Sequence, residues 1–95
     1  MVRVIVDRHI KEGKELELAN LLIELRIRAM RWPGYITGET LRELDDPYHW
    51  VTISTWDDAD AWTNWLASPQ RRELADRIDP LLTTPPKMTI FSPVS

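Results

Sequence analysis

Hydrophobic and polar residues alternate at the start of the chain and then recur with a helical period. Residues 2–9 place three valines on one side, and the other side is mixed: Arg3, Ile5, Asp7 and His9. This period of two predicts a strand. From about residue 14 to residue 31, leucines return every three or four positions, which predicts an amphipathic helix. The Trp32-Pro33-Gly34 turn ends it, because proline disfavours helical geometry at the preceding residue.

The remaining pattern predicts a hairpin, two further helices and a last strand. Residues 35–43 and 48–56 are rich in β-branched and aromatic side chains and flank a turn at Asp46-Pro47. A short helix follows Asp57 or Asp58. Ser68-Pro69 has the form of a cap with proline at the first helical position, so we expect another helix from there through Leu82. The last strand, residues 87–92, follows two prolines.

This order of elements favours one α+β packing. Two interlocking β-α-β units give a ferredoxin-like four-stranded antiparallel sheet of order 4-1-3-2, with the helices on one face. Large apolar groups alternate along residues 48–56, so both faces of the sheet are apolar, and we assign Trp50 and Trp56 to the uncovered face. A bare face of that kind exceeds the apolar patch that a monomer usually exposes. We therefore expect a single domain, residues 1–95, that forms a homodimer with sheet packed on sheet.

Composition and charge exclude several classes of function. The 95 residues carry a formal net charge of −3 and no cysteine. A nucleic-acid partner needs a basic face, and disulfides, thiolate metal sites and thiol nucleophiles need cysteine. No apolar run is long enough to cross a membrane, and the charged start of the chain is unlike a signal peptide, so we expect a cytoplasmic protein. The three glycines form no phosphate-binding loop, and we expect no cofactor.

Asp7, His9 and His49 are the first candidates for chemistry. If the first and third strands are antiparallel neighbours, these three side chains gather at one end of the sheet. Two histidines and a carboxylate are the ligand set of a non-heme iron facial triad. The spacing is unspecific, however, and histidines at strand ends are most often solvated, so we expect no metal site.

Several stretches together resemble the antibiotic biosynthesis monooxygenase domain family. They are Trp32-Pro33-Gly34-Tyr35, the Asp46-Pro47 turn, and the segment that runs from Ser54 through Trp56, Trp62 and Trp65 to Pro69. The resemblance covers nearly the whole chain. It implies a dimeric α+β barrel with a pocket between the helices and the sheet of each protomer. Members of the family include cofactor-free monooxygenases of phenolic or quinol-type compounds, heme-degrading monooxygenases and proteins with no known activity.

The resemblance also implies roles for individual residues. It places Trp65 on the pocket wall, where the ring stacks on a planar substrate and the indole N–H stabilises an oxyanion. Leu22 lines the opposite wall, and Trp62, His9 and His49 are further candidate substrate contacts. Asp7, on the helix-facing side, is either a desolvated proton acceptor or the partner of an arginine such as Arg8 or Arg26.

The heme-degrading branch of the family fits the sequence poorly. It has an asparagine where this chain has Asp7, and an iron-ligating histidine ten residues beyond the tryptophan, where this chain has Ala75. Alanine offers no donor atom to iron. The leading expectation is therefore a cofactor-independent monooxygenase of a small aromatic compound, with Asp7 and Trp65 catalytic. The alternative is a non-catalytic dimeric module that binds a small ligand or takes part in interactions.

Overall fold

The computed structural model describes residues 1–95 and contains four strands and three α-helices. In chain order these elements are β1 (Val2–His9), α1 (Glu15–Met30), β2 (Tyr35–Arg42), β3 (His49–Trp56), α2 (Ala59–Leu66), α3 (Pro69–Ile78) and β4 (Lys87–Phe91). The predicted strands and helices are all present. No helix combines the length and the apolar character that crossing a membrane requires.

The third helix ends earlier than the sequence pattern predicts. Instead of continuing through Leu82, α3 stops at Ile78, and a 3₁₀ turn covers Asp79–Leu81. Pro80 explains the difference, because proline has no backbone N–H and its ring clashes with the preceding turn of an α-helix. Leu81 and Leu82 still reach the core from this turn.

The sheet has the expected ferredoxin-like order. Its strands run β2-β3-β1-β4 and every neighbouring pair is antiparallel. β1 and β3 are the two central strands, in a register that pairs Val2 with Trp56 at one end and His9 with His49 at the other. The helices cover one face, called here the closed side, and the other face is called the open face.

Side-chain alternation on β1 decides what each face carries. Val4, Val6 and Arg8 are buried on the closed side, so Asp7 and His9 point to the open face. Trp56 and Trp50 pair with Val2 and Arg8 and therefore also point to the closed side. The expectation that Trp50 and Trp56 lie on the uncovered face is wrong, and Trp56 is only 1% exposed. Apolar residues on the open face come from all four strands: Ile5, Leu41, Val51, Ile53 and Phe91.

The core consists of two apolar clusters beneath the helices. One joins α1 to α3 and the turn after it, with Leu18, Leu74 and Ile78 fully or almost fully buried. The other is rich in tryptophan and lies between the sheet, α2 and the end of α1: Val4, Val6, Ala29, Trp56, Trp62 and Trp65. Burial of three large indole rings makes this second cluster the largest apolar contribution to the fold.

A close approach of backbone fixes the position of α2 over the sheet. Gly34 has φ of +90°, a conformation that glycine adopts without a steric penalty. A Cβ atom at this position would overlap the side chain of Ala61 on α2. The carbonyl of Gly34 also accepts a hydrogen bond from the N–H of Asp57 at 2.8 Å. The turn before β2 thus positions the helix that carries Trp62 and Trp65.

Candidate functional site

A small cavity lies between the closed side of the sheet and helices α1 and α2. It encloses about 60 Å³ of free space. A wider groove of about 370 Å³ adjoins it between α1 and the strands β2 and β3. Leu22, Arg26 and Thr40 line both spaces, so the groove gives access to the cavity. The two together reach the size of ordinary small-molecule sites, roughly 300–1,000 Å³.

One wall of the cavity is aromatic. Trp56 and Trp65 are stacked, with ring centroids 6.3 Å apart and an interplanar angle of 27°. Trp62 and Tyr35 pack with their edges towards Trp56, at centroid distances of 5.6 and 5.3 Å. Such offset and edge-to-face pairs are the favoured arrangements of aromatic rings. The result is a rigid apolar wall suited to a planar ligand.

A buried cation also lines the cavity. Arg8 is 5% exposed, and its Nη1 donates to Thr52 Oγ1 at 2.9 Å, while its Nε has no hydrogen-bond partner. No carboxylate lies within ion-pair distance of Arg8. Burial lowers the pKa of Arg8 to about 10, and the positive charge of Arg71 adds to the shift, with Asp79 opposing it. Arg8 is therefore charged at neutral pH without a neutralising partner.

A second arginine reinforces the positive potential of the cavity. Arg71 is partly buried on α3, where its Nη1 donates to the carbonyl of Leu66 at 3.4 Å. Burial lowers the pKa of Arg71, although Asp79 partly offsets this effect. With Arg26, three arginine residues thus line one largely apolar cavity. An anion bound there would be stabilised strongly, because the surroundings screen charge poorly.

The cavity also holds a hydroxyl group without a partner. Tyr35 Oη is buried and makes no hydrogen bond. It lies against Gly38, where a Cβ atom would come within 2.7 Å of that oxygen. Leaving a buried polar atom unpaired costs stability, so a ligand atom that bonds to it would gain affinity. Glu39 is the one acidic residue among those that line the cavity, but it pairs with Ile53 and so directs its carboxylate to the open face.

The structure brings together only part of the site that the sequence predicts. Trp65, Trp62 and Leu22 line the cavity. Asp7, His9 and His49 are on the opposite face of the sheet, so the expected placement of Asp7 on the helix-facing side is wrong. The physical reason is the period of two along β1, which cannot put both Asp7 and the buried Val6 on one face.

Sequence reasoning missed Arg8, which lines the cavity where Asp7 was expected. The signal was present, because the alternation that buries Val4 and Val6 continues to Arg8. A charged residue at the end of an apolar strand face is easily assigned to solvent. Arg71 gave no signal of this kind, since its position over the cavity depends on how α3 packs.

The open face carries a second polar cluster. Asp7 accepts a hydrogen bond from His49 Nε2, and the Oε1 of Glu43 lies 2.7 Å from His49 Nδ1. The ring of His9 stacks on that of His49 with centroids 4.6 Å apart. Hydrogen bonds to Glu43 and to Asp7 raise the pKa of His49 above its ordinary value. The expectation that Asp7, His9 and His49 gather at one end of the sheet thus holds, and Asp7 pairs with histidine rather than with arginine.

Comparison with known proteins places the chain in a family. Residues 1–77 match the family described as antibiotic biosynthesis monooxygenase. The chain belongs to this family. Among curated proteins it is similar to Protein SchA of Streptomyces halstedii, with 25% identity over 79 residues, which are 83% of this chain and 21% of SchA. The chain therefore spans about a fifth of the length of the curated relatives it matches.

Solved structures of antibiotic biosynthesis monooxygenases share the fold along the whole chain. One such structure has a TM-score of 0.91 and 22% identity and covers 100% of both chains. SnoaB from Streptomyces nogalater, described as a cofactor-independent oxygenase, has a TM-score of 0.86 and 26% identity over 99% of this chain and 94% of its own. The ferredoxin-like architecture is thus that of the family.

The position expected for a heme ligand in this family is occupied by alanine. Ala75 lies on α3, about one turn before the 3₁₀ turn, and is partly buried. It is not among the residues that line the cavity. A side chain with no donor atom cannot ligate iron, so this position gives no support to heme chemistry.

Proposed function

We propose that this chain is a cofactor-independent monooxygenase that oxidises a small phenolic or quinol-type aromatic compound. One observation supports this assignment above the others: three tryptophans line the same cavity as the buried Arg8 and the partly buried Arg71. The likeness to SnoaB, a cofactor-independent oxygenase, agrees with it.

The cavity suits the anion of an aromatic alcohol better than the neutral compound. Trp65 and Trp56 offer a flat apolar surface to the ring, while Arg8 and Arg71 stabilise the oxygen that has lost its proton. Stabilisation is strongest for a charge that develops in a site already arranged to receive it. Asp7 cannot take the proton, since it lies on the other face. Glu39 pairs with Ile53 in the sheet, so its side chain points to the open face as well, and the proton passes to solvent through the groove.

The proposed reaction needs no electrons from outside the substrate. A phenol with a C–H group opposite its hydroxyl reacts with dioxygen to give a quinone and water. The phenolate transfers an electron to dioxygen, the new C–O bond forms at that carbon, and the second oxygen atom leaves as water with the two hydrogens of the phenol. The protein binds the substrate, keeps the anion charged and excludes water from the ring.

Oxygen consumption tests this assignment. Native protein and the Arg8→Met and Trp65→Phe variants are compared on a panel of quinols and hydroxylated polycyclic aromatics. Loss of a charge-assisted hydrogen bond of about 1.5–3 kcal/mol lowers kcat/KM of Arg8→Met by roughly 10- to 100-fold. Arg3→Met, on the open face of the same strand, and Trp32→Phe, outside the cavity, are matched controls that retain activity.

Absence of turnover on the whole panel would contradict the oxygenase assignment. If the same compounds nevertheless quench tryptophan fluorescence in a saturable way, and Arg8→Met weakens that binding, the alternative of a non-catalytic ligand-binding module is favoured. The cavity itself serves either role, because fold alone does not decide between them.

We further propose that the open face is covered by a second copy of this chain. Phe91 on β4 and Leu41 on β2 are about half exposed there, and Ile5, Val51 and Ile53 form the middle of the same apolar surface. Sedimentation equilibrium should give about twice the chain mass of 11.1 kDa. Ile53→Glu should give a monomer, while Leu16→Glu, on the exposed side of α1, should not. A native protein that sediments as a monomer at micromolar concentration would contradict the dimer.

A further inference from the structure

The cluster on the open face has the converging donor atoms of a metal site. His9 Nε2 lies 3.9 Å from Asp7 Oδ1, and His49 Nε2 hydrogen-bonds to the same oxygen. One donor atom from each of the three residues lies within 4.8 Å of the other two. Two imidazole nitrogens and a carboxylate oxygen thus approach one point from three side chains.

The backbone that holds these donors belongs to the centre of the sheet. His9 and His49 face each other directly in the register of β1 and β3, and Asp7 precedes His9 by two residues on the same face. Each of these strands is hydrogen-bonded on both sides for most of its length. The Cα positions of the three residues are therefore fixed, and only side-chain rotation is needed to adjust the donor atoms.

Glu43 supplies an independent observation that points to a ligand. It lies 2.7 Å from His49 Nδ1 and so fixes the ring with Nε2 directed at Asp7. A carboxylate bonded to the second nitrogen of a histidine is the usual support of a metal-bound imidazole, because it sets the tautomer and increases the basicity of the ligating atom. Glu43 follows β2 and reaches the cluster from outside β1 and β3.

We propose that this chain binds a divalent transition-metal ion on the open face, through His9 Nε2, His49 Nε2 and the carboxylate of Asp7. In a tetrahedral site, metal–donor distances of about 2.0–2.2 Å correspond to donor separations of roughly 3.3–3.6 Å, which require His9 to rotate away from its stacked position. Imidazole ligands favour zinc, copper, nickel or iron over magnesium and calcium, which take oxygen ligands. Three protein ligands leave coordination positions for water.

The charges around the cluster are compatible with a dication. Asp7 and Glu43 are negative, and Lys87 lies beside Asp7 in the register of β4 without an ion pair to it. The site is on the opposite face from the cavity, at the end of the open face, so it does not depend on the oxygenase assignment. The chain has two histidines and no cysteine, which makes the assignment of ligands direct.

Titration calorimetry with Zn²⁺ tests the site on protein that has no polyhistidine tag and has been freed of metal by a chelator. We expect saturation at one ion per chain. His49→Asn, His9→Asn and Asp7→Asn should each weaken binding by at least tenfold, and Glu43→Gln by roughly 10- to 100-fold with the same stoichiometry. Asp57→Asn, which removes an exposed carboxylate elsewhere, should bind as the native protein does. His9 is half exposed, so its variant folds even if His49→Asn does not.

Cobalt offers a spectroscopic check of the same ligands. Co²⁺ added to the native protein should give visible absorption bands that Zn²⁺ abolishes and that are missing in His9→Asn. Mg²⁺ should neither compete nor release heat. The proposal is overturned if Zn²⁺ binding does not saturate, or if binding is unchanged in both His9→Asn and Asp7→Asn.

Discussion

Asp7 and Arg8 are neighbours on β1, yet their side chains lie on opposite sides of the sheet in contrasting environments. Asp7 is on the open face, about 35% exposed and paired with His49. Arg8 is buried on the closed side among apolar groups, and its single hydrogen bond goes to the neutral Thr52. Asp7 on the open face thus has an ion-pair partner within the chain, whereas the cation on the closed side has none.

This difference indicates what each side is optimised for. Burial of an unpaired charge reduces the free energy of unfolding, so a sequence shaped by stability alone would place an apolar residue at position 8. Retaining arginine there is consistent with a ligand that supplies the negative charge. Substitutions on each side of the sheet test this contrast, and the largest effect is expected from the packing that creates the closed side.

The largest effect is expected from loss of the aromatic wall. Trp56→Ala removes a ring that is 1% exposed and touches Tyr35, Trp62 and Trp65. Truncation of a buried aromatic residue lowers the free energy of unfolding by about 3–5 kcal/mol, which urea denaturation measures. Leu16→Ala is the control, since Leu16 is 77% exposed and its loss should change stability by less than about 0.5 kcal/mol. A loss below about 1 kcal/mol for Trp56→Ala would show that the wall is not tightly packed.

The next effect concerns the space beside the Tyr35 hydroxyl. Gly38→Ala places a methyl group 2.7 Å from Tyr35 Oη, and overpacking of this kind costs about 1–3 kcal/mol. In the Tyr35→Phe background the nearest ring carbon is 3.5 Å away, an ordinary contact, so most of that cost should disappear. A double-mutant cycle by urea denaturation measures the coupling. Equal costs in both backgrounds would show that the hydroxyl does not fill this space.

Arg8→Met tests the closed side directly, and its effect on stability is expected to have the opposite sign. Replacing a buried, uncompensated charge with an apolar side chain of similar length should raise the free energy of unfolding by about 1 kcal/mol, even though the bond to Thr52 is lost. Arg3→Met on the open face should change it by less than about 0.5 kcal/mol. Destabilisation by Arg8→Met would mean that other groups of the chain compensate the charge of Arg8, and the case for an anionic ligand would fail.

The sequence predicted the fold of this molecule better than the residues of its candidate functional site. Alternation on β1 and the leucine period of α1 follow from local geometry, so strand order and helix positions were accessible from the pattern. Leu22 was also found, because it belongs to the leucine period of α1, whereas family resemblance put Trp65 on the pocket wall. The exception in the fold is the end of α3, where Pro80 overrides an apolar period that continues to Leu82.

The site residues that sequence reasoning missed are those whose role depends on packing in three dimensions. Arg71 reaches the cavity only through the way α3 packs against α1 and α2, and Glu43 reaches His49 only through the hairpin register. Asp7 was misplaced for another reason, since a role implied by family resemblance was preferred to the alternation of its own strand. Period-two geometry is the stronger constraint, because a slip of one residue would expose Val4 and Val6.

The smallest expected effect belongs to the open face and concerns pH. Hydrogen bonds to Glu43 and Asp7 raise the pKa of His49 above 6.5 in the folded protein. A histidine whose pKa is higher in the folded than in the unfolded protein stabilises the fold fully at pH values below the unfolded pKa. This stabilisation is lost as the pH rises through the pKa of the folded protein. The urea midpoint of metal-free protein, kept in chelator, should therefore fall modestly as pH rises from about 6 to about 8.

Variants on the open face separate this effect from general titration. His49→Gln should flatten the pH profile in that window, because the titrating group is gone, while His9→Gln should keep most of the slope. Arg8→Met should keep it too, since Arg8 lies on the other side of the sheet and stays charged in this range. Matching profiles for native protein and His49→Gln would show that the pairing with Asp7 and Glu43 does not hold in solution. The contrast between the two sides would then rest on the closed side alone, because the open face would carry solvated charges rather than a built cluster.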